Sequence, residues 1–175
     1  MASVVILSGF MGSGKTSVGL AAAQRLGWAF VDLDAEIERQ ERISIPDIFS
    51  ARGEAYFRKV ESESLQAVVR AGHLSPGMVL ALGGGTLTDP AAVQLVKRIG
   101  RLVYLEVDIG VAWERVATSS RPLVGDMQDF EELFEQRVRV YENTADLILP
   151  VRENTVEELA EDVAAFALGL KEADA

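Results

Sequence analysis

The chain has 175 residues, of which 49% are hydrophobic and 25% are charged, and its formal net charge is −10. This length suits one compact domain that buries its own core, and no apolar run approaches the length of a membrane span. The acidic balance argues against non-specific nucleic-acid binding, and the absence of cysteine excludes disulfides and thiolate metal sites. We therefore expect a cytoplasmic monomer without a signal peptide.

The first motif follows a short β-branched run at residues 4–7, which predicts a buried strand. Residues 9–16 read Gly-Phe-Met-Gly-Ser-Gly-Lys-Thr and match G-x-x-x-x-G-K-[ST], and a helix-favouring run follows. In this context, backbone N–H groups and the helix dipole attract the phosphates of a nucleoside triphosphate. Lys15 is expected to reach the β and γ oxygens, and the Thr16 hydroxyl to ligate Mg²⁺. A glycine-rich turn that matches by chance is the weaker alternative.

Apolar runs alternate with amphipathic segments along the rest of the chain. Strands are predicted near residues 4–8, 28–31, 78–82, 101–107 and 146–149. Helices are predicted near residues 15–26, 35–50, 53–71, 89–98, 110–118, 129–143 and 155–170. This order predicts one α/β domain over residues 1–175, a three-layer α/β/α fold with a central parallel sheet and with ligands at the carboxyl ends of its strands.

Two aspartates, Asp32 and Asp34, follow the second predicted strand. Extended geometry would put both carboxylates on one side of the chain, about 7 Å apart. If this strand neighbours the first, Asp32 can face Thr16 and Mg²⁺, while Asp34 points to a second substrate and can deprotonate a hydroxyl. The alternative, which the pair alone favours, is that Asp34 caps a helix beginning at Ala35.

The segment from residue 43 to 61 holds apolar residues that could form either a pocket wall or ordinary core, namely Ile45, Phe49 and Phe57. Arg58 and Glu61 are three residues apart on one predicted helix face, where they could form no more than a surface ion pair.

Two glycine-containing or turn-rich segments complete the pattern. Gly83, Gly84 and Gly85 directly follow a predicted strand, so the backbone there can approach a ligand closely, or simply turn. Residues 119–129 are rich in turn formers and predict a long exposed loop. Such a loop is either a plain connection or a lid whose Arg121 reaches over a bound phosphate.

Taken together, these motifs resemble the shikimate kinase family, in the family's order and over nearly the whole chain. That family shows a G-F-M-G opening of the P-loop, a D-x-D pair, an I-x-x-x-F…G-E-x-x-F-R stretch, a triple glycine, an R-P-L lid and an R-x-x-x-Y segment. The corresponding residues here are 9–12, 32–34, 45–58, 83–85, 121–123 and 137–141.

The resemblance implies a P-loop NTPase fold of the nucleoside-monophosphate-kinase type, with a lid at about residues 117–129. It implies transfer of the ATP γ-phosphoryl group to the 3-hydroxyl of shikimate, a step in aromatic amino acid biosynthesis. By the same resemblance, Asp34 holds the substrate hydroxyls and is the candidate base, and Lys15 and Arg121 neutralise charge on the transferring group. Thr16 and Asp32 would anchor Mg²⁺.

The resemblance also implies two sets of binding residues. The nucleotide set is Gly12, Ser13, Gly14, Lys15, Thr16, Ser17 and Arg121. The shikimate set is Asp34, Phe49, Phe57, Arg58, Glu61, Gly83, Gly84, Gly85 and Arg137. Within it, Arg58 and Arg137 would grip the carboxylate, because a planar guanidinium donates two charge-assisted hydrogen bonds, and Glu61 would orient Arg58.

Some positions depart from the family pattern. Many members read R-x-P-L-Y where this chain has residues 137–141, Arg-Val-Arg-Val-Tyr, so Arg137 and Arg139 both stand in one turn. The spacing to Tyr141 favours Arg137. The role of Arg115, six residues before Arg121, stays open. A related kinase acting on another acceptor, such as gluconate, and a nucleotide-binding module without catalysis are the alternatives.

Overall fold

The structure is a computed structural model that describes residues 3–72, 77–117, 126–152 and 154–173. Its five described strands are β1 (Ser3–Ser8), β2 (Ala29–Asp32), β3 (Gly77–Ala81), β4 (Arg101–Glu106) and β5 (Leu147–Pro150). All neighbouring pairs are parallel, and the order across the sheet is β2-β3-β1-β4-β5. The predicted parallel sheet is confirmed, with each strand within two residues of its predicted bounds.

In the described ranges, helices occupy every connection between these strands, and the last helix follows β5. They are α1 (Lys15–Leu26), α2 (Leu33–Glu41), α3 (Ile45–Gly72), α4 (Pro90–Ile99), α5 (Ile109–Ala117), α6 (Met127–Thr144) and α7 (Val156–Ala173), with a 3₁₀ turn at Thr86–Thr88. Within the described ranges, no helix is long and apolar enough to cross a bilayer.

Alternating residues of β1 divide the core into two layers. Val5 and Leu7 pack in the cluster that contains residues of α1 and α7, while Val4 and Ile6 belong to the larger cluster on the opposite face. This division follows from the strand geometry, because successive side chains point to opposite faces of a sheet. Helices therefore cover both faces, which confirms the three-layer arrangement.

The helix predicted near residues 35–50 is wrong in extent. Helix α2 ends at Glu41, where Arg42 adopts a left-handed conformation (φ 59°), and α3 begins at Ile45. The Ile45 N–H donates to the Glu38 carboxylate at 2.9 Å, so a side chain of α2 binds the start of α3. Periodicity alone does not detect such a break, because the apolar positions continue across it.

The role predicted for Asp32 assumed that the second strand neighbours the first, and the sheet order does not meet this condition. Strand β2 does not neighbour β1, because β3 lies between them, pairing Ala81 with both Leu7 and Asp32. The carboxyl ends of the three strands nevertheless meet at one edge of the sheet. The P-loop, the triple glycine and the two aspartates consequently emerge side by side.

Candidate active site

The P-loop connects the end of β1 to α1. Gly14 occupies the N-cap position with φ 87°, a conformation that favours glycine, and its place leaves α1 without a side-chain cap. The amide groups of the first helical turn are therefore suited to an anion. Lys15 Nζ donates to the carbonyl oxygens of Gly9 at 2.8 Å and Phe10 at 3.2 Å, so the side chain folds over the loop.

Ser13, Ser17 and Arg115 lie around this loop. Ser13 is fully buried, and its hydroxyl has no hydrogen-bond partner among the described residues. Ser17 is exposed in the first turn of α1. Arg115, whose role the sequence left open, donates from Nη1 to the Gly12 carbonyl at 2.8 Å. Arg121 and most of the predicted lid lie outside the described residues.

Asp32, the last residue of β2, is hydrogen-bonded to the final residue of the P-loop motif. The Thr16 hydroxyl donates to Asp32 Oδ2 at 2.6 Å, and Asp32 Oδ1 accepts the Ala35 N–H at 3.2 Å. The N-cap of α2 is thus Asp32, and the reading in which Asp34 caps a helix beginning at Ala35 is wrong. Since α2 begins at Leu33, Asp34 belongs to the first helical turn, and the extended D-x-D geometry is wrong too.

The triple glycine brings three charged side chains to one place. A Cβ atom on Gly83 would lie 2.6 Å from Asp34 Oδ1, and one on Gly85 would lie 2.7 Å from both terminal nitrogens of Arg58. On Gly84 it would lie 3.2 Å from Arg137 Nη1. Any other residue type would push these groups away, so the absence of side chains lets one carboxylate and two guanidinium groups converge on the backbone.

Glu61 holds Arg58 from inside the protein. Its Oε2 accepts from Arg58 Nη1 at 2.7 Å, and its Oε1 accepts from the Thr86 hydroxyl at 2.7 Å. Glu61 is only 5% exposed, so the surface ion pair considered from the sequence is wrong. A buried carboxylate with both oxygens bonded is a rigid anchor, because breaking either bond leaves an unpaired buried acceptor.

Arg137 is the more buried of the two arginines in α6. Arg139 is exposed, whereas burial lowers the pKa of Arg137, and the neighbouring Arg58 lowers it further. The Arg137 Nε has no hydrogen-bond partner within the described part of the chain. A partly buried guanidinium whose buried Nε has no partner there favours an incoming anion, since the anion would restore the lost hydrogen bonding.

Tyr141 lies one helical turn after Arg137 in α6 and contacts the triple glycine. Its hydroxyl donates to the Gly84 carbonyl oxygen, and its ring packs against Tyr104 with 5.2 Å between the centroids. Burial raises the pKa of Tyr141, which keeps the hydroxyl protonated and able to donate at neutral pH. The sequence motif included Tyr141 without assigning it a role.

Two aromatic residues of α3 lie together before Arg58. Phe49 is 38% exposed and Phe57 is buried, and their ring centroids are 4.6 Å apart. An exposed aromatic ring beside a buried one suits a pocket wall better than a uniform core position.

Sequence reasoning missed Thr86. The sequence shows only that a hydroxyl residue directly follows the triple glycine. Nothing in the local sequence links Thr86 to Glu61, which lies 25 residues earlier. The partner becomes evident only once α3 is packed beside the β3–α4 connection.

A phosphate-binding loop next to a pocket with one carboxylate and two guanidinium groups, on a three-layer α/β fold, defines a nucleotide-dependent small-molecule kinase. The family model described as "Shikimate kinase" matches residues 11–167. The chain belongs to the shikimate kinase family, and it uses ATP to phosphorylate shikimate.

Individual relatives agree with this assignment. A shikimate kinase from Alkaliphilus oremlandii is 37% identical over 169 residues, which cover 93% of this chain and 98% of the relative. The structure of a shikimate kinase from Acinetobacter baumannii in complex with shikimate superposes with a TM-score of 0.88 at 31% identity, covering 98% of this chain and 96% of that one. A gluconokinase from Sinorhizobium meliloti has a TM-score of 0.59 at 18% identity over 98% of this chain and 94% of its own, a likeness of fold alone.

Proposed function

We propose that Asp34, Arg58, Arg137 and the triple glycine form the shikimate pocket, from which the 3-hydroxyl attacks the ATP γ-phosphorus. The observation that carries this proposal is the convergence of the three charged side chains, each against one of the three glycines. A polyhydroxylated carboxylate matches this set, because the two guanidinium groups suit its carboxylate and the aspartate suits its hydroxyls.

The position of the pocket relative to the P-loop supports direct transfer. The Cβ position on Gly84 lies 4.0 Å from the carbonyl oxygen of Gly9, the first residue of the P-loop motif. Because Lys15 also reaches that carbonyl, an acceptor at the triple glycine would lie beside the phosphate end of the nucleotide. Such positioning supplies much of the rate in phosphoryl transfer, where the protein performs little covalent chemistry.

In the proposed reaction, Asp34 accepts the proton of the shikimate 3-hydroxyl, while the oxygen of that hydroxyl forms a bond to the γ-phosphorus. The bond from that phosphorus to the β,γ-bridging oxygen breaks, and ADP leaves with the electron pair. Lys15 and Arg121 neutralise the charge on the transferring group. Arg58 and Arg137 hold the carboxylate, Phe49 and Phe57 form the pocket wall, and Glu61 keeps Arg58 in place.

Thr16 and Asp32 fit the Mg²⁺ that the family implies. Their oxygen atoms are 2.6 Å apart beside the P-loop, and no group of three or more acidic, histidine or cysteine side chains forms an alternative metal site in the described ranges. Mg²⁺ commonly takes one or two protein oxygens and completes its shell with phosphates and water. When bound, the ion neutralises charge on the β- and γ-phosphates.

At the level of the whole chain, we propose a single cytoplasmic kinase domain that acts as a monomer. Residues of about 117–129 would form a lid that closes over both substrates and excludes water. The absence of cysteine fits a reducing compartment, and the negative net charge fits a protein without a nucleic-acid partner.

The substitution Asp34→Asn tests the acceptor pocket. It keeps the size of the side chain but removes the negative charge that accepts the proton, so we expect turnover to fall by roughly 10²–10⁴-fold. ATP affinity should stay within about twofold, because Asp34 lies at the triple glycine rather than at the phosphate loop. Turnover is measured by ADP release with shikimate, and ATP affinity by calorimetry.

Asp162→Asn is the matched control, since Asp162 is an exposed aspartate of α7. It should leave both quantities at the wild-type level. Near-normal turnover of Asp34→Asn would remove Asp34 from the mechanism and require another base.

A further inference from the structure

A short chain of hydrogen bonds connects the β3–α4 connection to the proposed carboxylate clamp. Thr86 is 2% exposed, and its hydroxyl donates to Glu61 Oε1 at 2.7 Å. The other oxygen of Glu61 accepts from Arg58 Nη1 at the same distance. The position of the Arg58 guanidinium therefore depends on Thr86 through one buried carboxylate.

The Arg58 side chain can adopt another position if this chain of hydrogen bonds is weakened. It also pairs with Glu54 at 3.4 Å, but the Glu54 side chain is 68% exposed, so this contact holds it only weakly. A cleft of about 270 Å³, lined in part by Arg58, Thr88 and Asp89, opens beside it. A long, flexible arginine next to open space and another carboxylate needs a fixed partner to stay against Gly85.

The Glu61 oxygen that Thr86 binds also lies beside the candidate base. A Cβ atom on Gly83 would lie 2.6 Å from Asp34 Oδ1 and 3.1 Å from both Glu61 Oε1 and Thr86 Oγ1. The carboxylates of Asp34 and Glu61 thus approach the same glycine, and their like charges repel each other. The Thr86 hydroxyl supplies a donor at that point, which stabilises the carboxylate of Glu61 in the orientation that faces Arg58.

We propose that Thr86 is a positioning residue for shikimate binding, which acts by fixing Glu61 and, through it, the Arg58 guanidinium. This inference rests on the proposed function, because it requires Arg58 to hold the substrate carboxylate. It goes further by assigning the control of that clamp to a hydroxyl group that does not itself touch the substrate.

The substitution Thr86→Val tests the proposal, because valine keeps the shape of threonine and replaces its hydroxyl group with a methyl group. We expect the Kd and the KM for shikimate to rise about tenfold, the size of effect that losing a hydrogen bond to a charged group produces. The KM for ATP should be unchanged, and kcat should fall by less than about threefold. Thr86→Ser keeps the hydroxyl and should restore the wild-type Kd.

A matched control separates this role from a general loss of packing. Thr144 is also a buried threonine, and its hydroxyl donates to the Val140 carbonyl at 2.6 Å, near the end of α6. Thr144→Val should lower thermal stability without changing the Kd for shikimate. If Thr86→Val does not fold, Thr86→Ala replaces it, with the same expected increase in Kd.

The Arg58→Ala variant distinguishes a failure of this inference from a failure of the proposed function. It should weaken shikimate binding strongly, and adding Thr86→Val to it should cause no further loss, because the hydroxyl acts only through Arg58. If Arg58→Ala leaves the Kd for shikimate unchanged, the proposed clamp itself is wrong. If Arg58→Ala weakens binding but Thr86→Val does not, or if Thr86→Ser fails to restore it, the positioning role of Thr86 is wrong.

Discussion

At the scale of single residues, burial determines whether an ion pair is a weak surface contact or a fixed anchor. Arg58 and Glu61 are three residues apart on a helix, a spacing that is common among exposed pairs of little energetic weight. In the structure Glu61 is almost fully buried and bonded at both oxygens, so the same two residue types become a fixed anchor for one guanidinium group. The sequence shows the spacing, but burial depends on the packing of α3 against the β3–α4 connection.

Arg137 and Arg139 provide a paired test at this scale. Arg137 lies against Gly84, and its buried Nε has no hydrogen-bond partner among the residues that the structure describes, whereas Arg139 is exposed. We expect Arg137→Ala to weaken shikimate binding by roughly 30-fold or more, since truncating a partner of a buried charge pair costs about 2–5 kcal/mol. Arg139→Ala should change the Kd by less than about twofold, because exposed charges contribute little.

Both variants are compared by calorimetric titration with shikimate, with thermal unfolding as the check on folding. A larger effect at Arg139 than at Arg137 would reverse the assignment of the carboxylate clamp.

At the scale of elements, the course of α3 depends on Gly53. This residue interrupts the helix with φ 76° and ψ 173°, a backbone region that is almost restricted to glycine. The interruption separates the turn that carries Phe49 from the longer segment that carries Phe57 and Arg58, and the two rings then meet at 4.6 Å. The kink thus shapes the proposed pocket wall without contributing a side chain.

Gly53→Ala is expected to lower the free energy of unfolding by about 1–3 kcal/mol, the cost of holding another residue in that conformation. Among the described residues, no heavy atom outside the glycine's immediate chain neighbours and the nearby helix backbone lies within 4 Å of the added Cβ, so steric overlap with the surroundings does not contribute. Gly169→Ala is the control, because Gly169 lies in α7 with equally open space and without a positive φ. There, alanine should stabilise the protein by up to about 1 kcal/mol.

Urea unfolding measures both changes. Equal effects of the two substitutions would contradict the role given to the Gly53 backbone.

The elements also show how far the sequence could predict this protein. The strands and the P-loop were predictable, because β-branched runs and the glycine motif are local signals. The break between α2 and α3 was not, since it depends on Glu38 binding the amide of Ile45 across the turn. Asp34 was predicted as a functional residue, but its helical position follows from Asp32 taking the cap.

At the scale of the whole molecule, sheet order assembles the site. Because β3 lies between β2 and β1, the triple glycine is placed between the aspartates and the P-loop, with Asp34 on one side and Gly9 on the other. Strand order is a long-range property that hydrophobic patterns do not encode, which is why the sequence alone left β1 and β2 as possible neighbours. Family resemblance could assign the residues to one site, whereas only the fold explains their contact.

The measurement that tests the acceptor assignment most directly is a coupled assay of ADP release with Mg-ATP. Shikimate, gluconate, a nucleoside monophosphate and no acceptor are compared at equal concentration. We expect shikimate to support turnover far above the rate without acceptor, because the chain belongs to the shikimate kinase family. The other two compounds should remain near that rate, since the nucleoside monophosphate has no carboxylate for the arginine pair and gluconate is an open chain rather than a ring. Preference for gluconate or the nucleotide, or ATP binding without turnover on any acceptor, would contradict the assignment of the pocket at the triple glycine.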